Sequence, residues 1–216
     1  MGVSEELSRD IENLDLYKVQ KKDLDKVVEI ITESFSCDPL IKYIIGGKIF
    51  NRIKGRHFFR LVIRLGIKYG YVYAPSSKLE GLIILFNNEH KSVSTLTYML
   101  NGGISMPFKV FFSTSVKMLQ YSHLQHLLEN KTAPNPHWYV CLLGIDKNFQ
   151  GKGYGSSLMK PFFRLFDKYK QDCYLETHNS KNVEIYKHYG FILKEKCKIF
   201  GSSLTHFSML RAPKPI

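Results

Sequence analysis

The run Gln150-Gly151-Lys152-Gly153-Tyr154-Gly155-Ser156 puts three glycines into a turn between an apolar, β-prone segment and one with helical spacing. A turn of this kind can hold a phosphate or pyrophosphate. The first amides of the helix have no intrahelical partner, and the positive end of the helix dipole stands behind them. Glycine suits the position because a Cβ would keep the backbone from closing on the phosphate. Two common phosphate motifs do not fit. The GxxxxGK[ST] pattern fails because Gly151-Lys152 is followed by Gly153 and Gly47-Lys48 by Ile49. The GxGxxG dinucleotide fingerprint fails because Ser156 stands at its last position and several residues separate the strand from the glycines.

The pattern that does fit is Q/R-x-x-G-x-G/A, read over Gln150 to Gly155. A strand, Val140-Cys141-Leu142-Leu143-Gly144-Ile145, precedes it, and Leu158 and Met159 lie in the helix that follows. Downstream come Tyr174-Leu175-Glu176-Thr177 and an N-x-x-x-Y-x-x-x-G-F segment running from Asn182 through Tyr186 to Gly190-Phe191. Together these motifs, over about residues 137–200, resemble the GCN5-related N-acetyltransferase (GNAT) superfamily. The resemblance implies an α/β fold: a mixed, mostly antiparallel central sheet, splayed after its fourth strand and flanked by helices. It also implies one domain over residues 1–216. Residues 87–135, which have no counterpart in the family's minimal core, are expected as a helical insertion that shapes the substrate pocket.

The resemblance implies roles residue by residue. The amides of Gly151, Lys152, Gly153, Tyr154, Gly155 and Ser156 would hold the pyrophosphate of acetyl-CoA, with Gln150 opening the loop. Lys152 either neutralises phosphate charge or is a solvated turn lysine. The backbone of Leu143, Gly144 and Ile145 would pair with the pantetheine arm, Gly144 being compatible with a bulge or bend there, and Asn182 would contact the same arm. The reaction is attack of a neutral amine on a thioester, which needs a route for the amine's proton and an acid for the departing thiolate. Tyr186 matches the position of that acid, its other reading being a tyrosine that packs helix on sheet. Two base candidates stand open. His137 begins the central strand and titrates in a useful range, or faces solvent at the strand's end. Glu176, on the next strand, is either a base or a buried hydrogen-bonded carboxylate. Water can also carry the proton. The implied partners are acetyl-CoA and an amine acceptor, and homodimers are common in the family. A non-catalytic acyl-CoA-binding module of the same fold is the alternative.

The elements that must position these groups follow from periodicity. Residues 1–15 read as a solvated leader and Leu16 to Gln20 as a short strand. Asp23 is expected to cap a helix whose Leu24, Val27, Val28, Ile31 and Phe35 share a face. Asp38-Pro39 starts a second helix that Gly46-Gly47 ends. Residues 50–68 form a basic amphipathic helix. Gly70–Ala74 and Leu79–Phe86 read as strands, and residues 93–130 as helices broken near Gly102-Gly103 and Pro107. After the 137–145 strand come a helix from about Gly153 to Tyr169, a strand at Cys173–Thr177, a helix at Ser180–Tyr189 and a closing pair of strands.

Composition removes other classes. With 216 residues, 44% hydrophobic and 23% charged, the chain is of ordinary globular make-up. A net charge of +12 favours an anionic partner. The arginines of 50–68 are the best nucleic-acid candidate, but no sequence-reading motif accompanies them, so nucleic acid is not expected as the main partner. The four cysteines are far apart and read as small buried hydrophobes in a reducing compartment. His123 and His126 lack a third ligand, so no metal is expected. The N-terminus has no apolar signal region and no apolar run is long enough to span a bilayer. A cytoplasmic protein without membrane contact is the expectation.

Overall fold

A computed structural model describes residues 3–46, 50–87 and 112–215. Helices α1 (Val3–Glu12), α2 (Leu24–Ser34), α3 (Pro39–Ile45), α4 (Arg52–Tyr69), α5 (Phe112–Thr132), α6 (Tyr154–Lys168) and α7 (Ser180–His188) surround a seven-stranded sheet. Its strands are β1 (Tyr17–Lys18), β2 (Tyr71–Ala74), β3 (Gly81–Asn87), β4 (His137–Ile145), β5 (Asp172–Thr177), β6 (Ile192–Lys198) and β7 (Thr205–Arg211), in the order β1-β2-β3-β4-β5-β7-β6. Every pairing is antiparallel except β4 with β5. The expected break near Gly102-Gly103 and Pro107 lies outside the described residues.

Both faces of the sheet are covered, so β3 reads as a continuous apolar run rather than an alternation. Ile83 and Leu85 point to a core shared with α1 and α6, whereas Leu82 and Ile84 point to one shared with α2, α3 and α4. On α6, Leu158, Met159, Phe162, Phe163 and Phe166 are all buried, the 3–4 spacing of one helix face. The closing edge strand, β6, carries Lys194, Glu195, Lys196 and Lys198, charges that discourage pairing with another chain.

Three local expectations need correction. The first 15 residues are not a solvated leader: α1 buries Leu7 and Ile11 against the α6 side of the sheet. Asp23 does not cap α2. It closes a short 3-10 turn instead, accepting from the Gln20 amide at 2.9 Å and the Tyr17 hydroxyl at 3.0 Å. Cys37 is exposed, not buried, and of the four cysteines Cys173 is the buried one, with Cys141 and Cys197 intermediate. Asp38 does cap α3, accepting from the Ile41 amide at 2.9 Å.

The basic face of α4 is matched inside the fold by the acidic face of α2. Arg52 and Arg56 pair with Glu29, and Arg60 with Asp25 at 2.6 Å. No helix among the described residues is long and apolar enough to cross a membrane.

A nearly buried ion pair ties the end of β7 to α6. Arg211 donates to Asp167 at 2.7 Å and to the Tyr189 carbonyl at 3.1 Å, and its guanidinium lies 4.9 Å from the Phe163 ring centroid. Burial pushes the Asp167 carboxyl up, but hydrogen bonds from Arg211 and the Lys214 amide outweigh it and hold the group below the usual range. A depressed carboxyl stabilises the fold at neutral pH, and that contribution is lost as pH falls through the carboxylate range. Asp167→Asn leaves the 3%-exposed Arg211 charge without its partner and is expected to cost about 3 kcal/mol in denaturant unfolding at pH 7. The deficit should shrink at low pH. A loss under about 0.5 kcal/mol would mean the pair does not anchor β7.

Candidate active site

Strands β4 and β5 run side by side only from His137↔Asp172 to Val140↔Leu175. Beyond Val140 they part, and among the described residues the remaining length of β4 has no strand on its β5-facing edge. The cause is local. The register of β3 against β4 shifts between Ile84 and Leu85, which pair with Leu142 and Val140 and leave Cys141 as an extra residue. Val140 therefore packs on the α6 face while both Cys141 and Leu142 pack on the α2 face. A bulge bends its strand and strengthens the twist, here at the point of separation. The bend expected at Gly144 is at Cys141 instead. Gly144 pairs regularly with Leu82, and its missing side chain makes room for α2: a Cβ there would lie 2.5 Å from Ile31 Cδ1 and 2.9 Å from the Phe35 ring.

The parted strands open a cavity of about 690 Å³. Leu143, Gly144, Ile145 and Gln150 line it from β4 and the turn, Glu176 and His178 from β5 and its end, Asn182 and Tyr186 from α7, and Tyr121 and Gln125 from α5. The Ile145 carbonyl is already engaged, accepting from Ser34 Oγ at 2.9 Å and Gln150 Nε2 at 3.0 Å.

At the mouth of the glycine turn the backbone has the shape the sequence implies. Gly151 and Gly153 have φ of +75° and +85°, with nothing within 4 Å of where a Cβ would point. Gly153 is the N-cap of α6 and offers no capping side chain, so the first amides of α6 remain free to meet an anion. Lys152 Nζ sits 5.6 Å from the Phe149 ring centroid. Ser156 Oγ is 2.8 Å from the Tyr189 hydroxyl, which fixes the first turn of α6 against the end of α7. The open cradle and the free amides fit the pyrophosphate of acetyl-CoA.

Glu176 stands at the centre of a hydrogen-bonded ring. Its Oε1 accepts from the hydroxyls of Tyr139 at 3.0 Å and Tyr121 at 3.3 Å, and its Oε2 accepts from that of Tyr174 at 3.1 Å. Tyr121 also meets His178 Nε2 at 2.9 Å; His178 meets His206 Nδ1 at 3.3 Å; His206 Nε2 meets Ser208 Oγ at 2.8 Å; and Ser208 returns to Tyr174 at 3.2 Å. Each phenol has one proton, so with Glu176 ionised the tyrosine protons point to the carboxylate and the hydroxyl of Ser208 turns to Tyr174. Burial pushes Glu176 up to about 7, against the lowering effect of the Tyr139 hydroxyl. Burial also lowers His178 to about 3 and His206 to about 4, so both rings are neutral at working pH.

Tyr186 faces the same cavity from α7, its ring packed edge-on against Phe191 at 5.9 Å. Among the described residues its hydroxyl makes no hydrogen bond. Burial, then the charge of Asp38, pushes it up to about 12. Asn182 Nδ2 is 3.4 Å from Thr177 Oγ1.

His137 is not among the residues lining the cavity. It is 2% exposed and held at the far end of β4, with Nδ1 donating to the Asn135 carbonyl at 2.8 Å and Nε2 facing Glu129 Oε1 at 3.1 Å. Desolvation lowers it, but the Glu129 and Asn135 bonds outweigh this and the net shift is upward. The structure thus joins Glu176 with Tyr186 and leaves His137 in a buried pair. Tyr121, Tyr139, His178, His206 and Ser208 belong to no motif read in the sequence, and Tyr174 enters there only as a neighbour of Glu176. The available signal was spacing, since Tyr174 and Glu176 are two apart on β5 and His206 and Ser208 two apart on β7, so each pair shares a face.

Residues 118–191 match the model of the acetyltransferase (GNAT) family, a range that begins within α5 and so overlaps the segment expected as an insertion. An uncharacterized N-acetyltransferase of Schizosaccharomyces pombe is 25% identical over 192 residues, covering 82% of this chain and 74% of the relative. Among solved structures, arylalkylamine N-acetyltransferase 2 from Aedes aegypti superposes with a TM-score of 0.62 at 15% identity, over 92% of this chain and 98% of that one. The polyamine N-acetyltransferase of Drosophila melanogaster gives 0.61 at 10% identity, over 91% and 98%. These two likenesses are of fold.

Proposed function

We propose that the chain, whose residues 118–191 match the acetyltransferase (GNAT) family, is an acetyl-CoA-dependent N-acetyltransferase in which Glu176 takes a proton from a primary amine and Tyr186 returns one to the departing sulfur. The observation that carries this reading is that both groups line one cavity, opened where β4 and β5 part and lined also by Gln150 at the start of the glycine turn. The structural neighbours whose names carry arylalkylamine and polyamine acetylation favour an amine acceptor.

When bound, acetyl-CoA supplies an acetyl thioester whose C–S bond breaks as the amine nitrogen takes the acetyl group. The free amides from Gly151 to Ser156 would receive its pyrophosphate, with Lys152 adding positive charge. The open edge of Leu143 and Gly144, the side chain of Gln150 and Asn182 would lie along its arm. Glu176, titrating near 7, is well matched to accept a proton at neutral pH, and the three tyrosine hydroxyls stabilise its ionised form. Tyr186, pushed up to about 12, stays protonated throughout the working range and can donate.

The turn is the part of this reading most open to direct test. Gly153→Val forces a β-branched residue into a left-handed conformation, a strain of about 1–3 kcal/mol. Calorimetric titration should show acetyl-CoA affinity reduced by about tenfold or more. Unchanged affinity would remove the turn from cofactor binding.

A further inference from the structure

The cavity around Glu176 does not share the charge of the chain that forms it. The sequence carries 31 Lys and Arg against 19 Asp and Glu, yet the charged side chains among the described residues lining the cavity are the carboxylates Asp38 and Glu176. Asp38 sits at the N-terminus of α3, close enough for its charge to bear on both Tyr121 and Tyr186. An apolar part of the lining is supplied by three helices: Leu40 and Ile44 from α3, Phe58 and Val62 from α4, and Met118 from α5.

We infer that the acceptor is an amine with an apolar, aryl- or alkyl-sized body and no carboxylate or phosphate of its own. This rests on the acetyl-transfer reading of the same site. A cationic head meets Glu176 or Asp38, and its apolar remainder covers the α3–α4–α5 wall. An acceptor that also carried an anion would bring that charge out of water beside two carboxylates, with no described cation to receive it. A short diamine satisfies the carboxylates but leaves the apolar wall uncovered, and burying apolar area is the main favourable term in binding.

Three probes separate these features: 2-phenylethylamine, phenylalanine, which adds a carboxylate to the same body, and 1,4-diaminobutane. Calorimetry on the full chain saturated with CoA reads the cavity alone, and initial rates with acetyl-CoA read the transfer. The inference expects 2-phenylethylamine to bind and react best, ahead of phenylalanine by about 100-fold or more and of the diamine by about tenfold or more in kcat/KM. Binding in that order without any transfer would leave the inference standing and overturn the transferase reading. Transfer to phenylalanine or the diamine at equal or greater efficiency would do the reverse, as would failure of 2-phenylethylamine to bind.

Ser122→Arg supplies a check on the electrostatic cause. Ser122 is exposed on α5 at the cavity wall, where an arginine is tolerated by the helix. Its guanidinium should narrow the gap between phenylalanine and 2-phenylethylamine by about tenfold. An unchanged gap, in a variant with unchanged Tm, would overturn charge as the basis of selection.

Discussion

Glu176→Gln is expected to lower kcat by about 10²- to 10⁴-fold at pH 7 while leaving acetyl-CoA affinity unchanged, the scale of a lost general base. The pH dependence makes the assignment specific. In the wild type, Glu176 titrates near 7, so kcat/KM should fall about tenfold for each pH unit below that and flatten above it. Glutamine cannot take a proton, so the variant depends on the fraction of amine already neutral, which keeps rising toward the amine's pKa of about 10. The deficit should therefore be greatest near neutrality and narrow in alkaline buffer. Stability should move the opposite way. A carboxyl whose folded pKa is raised destabilises the fold as pH climbs through the interval between its unfolded and folded values. Removing it should raise Tm at pH 8 and change it less at pH 4, the signature of a group held at a cost to stability for its chemistry. A variant with wild-type turnover, or one with a merely lowered Tm, would return Glu176 to a structural role.

Tyr186→Phe keeps the ring that packs on Phe191 and removes only the hydroxyl. Turnover should drop by about 10- to 1000-fold, with acetyl-CoA affinity and Tm nearly constant. The hydroxyl makes no hydrogen bond among the described residues, so its removal strands no described buried partner and the usual cost of an unsatisfied group is avoided. A packing role predicts the other outcome, since phenylalanine would preserve it and turnover would not change. Measuring kcat and the acetyl-CoA dissociation constant on the same preparation separates the two.

The fold and the conformation of the glycine turn were legible because both are written in local pattern. The glycine spacing from Gly151 to Gly155, the apolar strand before it and the N-x-x-x-Y-x-x-x-G-F run each fix a short stretch of backbone, and the corresponding elements stand as β4, α6 and α7. The environment of Glu176 was not legible, because its partners come from α5, β4, β5 and β7. Residues as far apart as Tyr121 and Ser208 meet only after the sheet order β4-β5-β7 is formed. The surroundings of His137 were not legible for the same reason: its place at the start of β4 is local, but Glu129, which faces its ring, comes from α5. The α1 helix was missed although Leu7, Ile11 and Leu14 carry a 3–4 spacing, since an acidic first turn on a short segment also suits a solvated tail. The bulge at Cys141 has no residue signal comparable to glycine, and follows from how β3 and β4 pair.

The most direct test of the central claim is a stoichiometric one. Purified protein is mixed with acetyl-CoA and 2-phenylethylamine at pH 8, free thiol is followed by absorbance, and acetylated amine is counted by mass spectrometry. The account predicts many turnovers per protein, with one thiol released for each N-acetyl product. Saturable acetyl-CoA binding with no thiol released, for this or any other amine, would contradict it. The cavity of Glu176 and Tyr186 would then belong to an acyl-CoA-binding module rather than an enzyme.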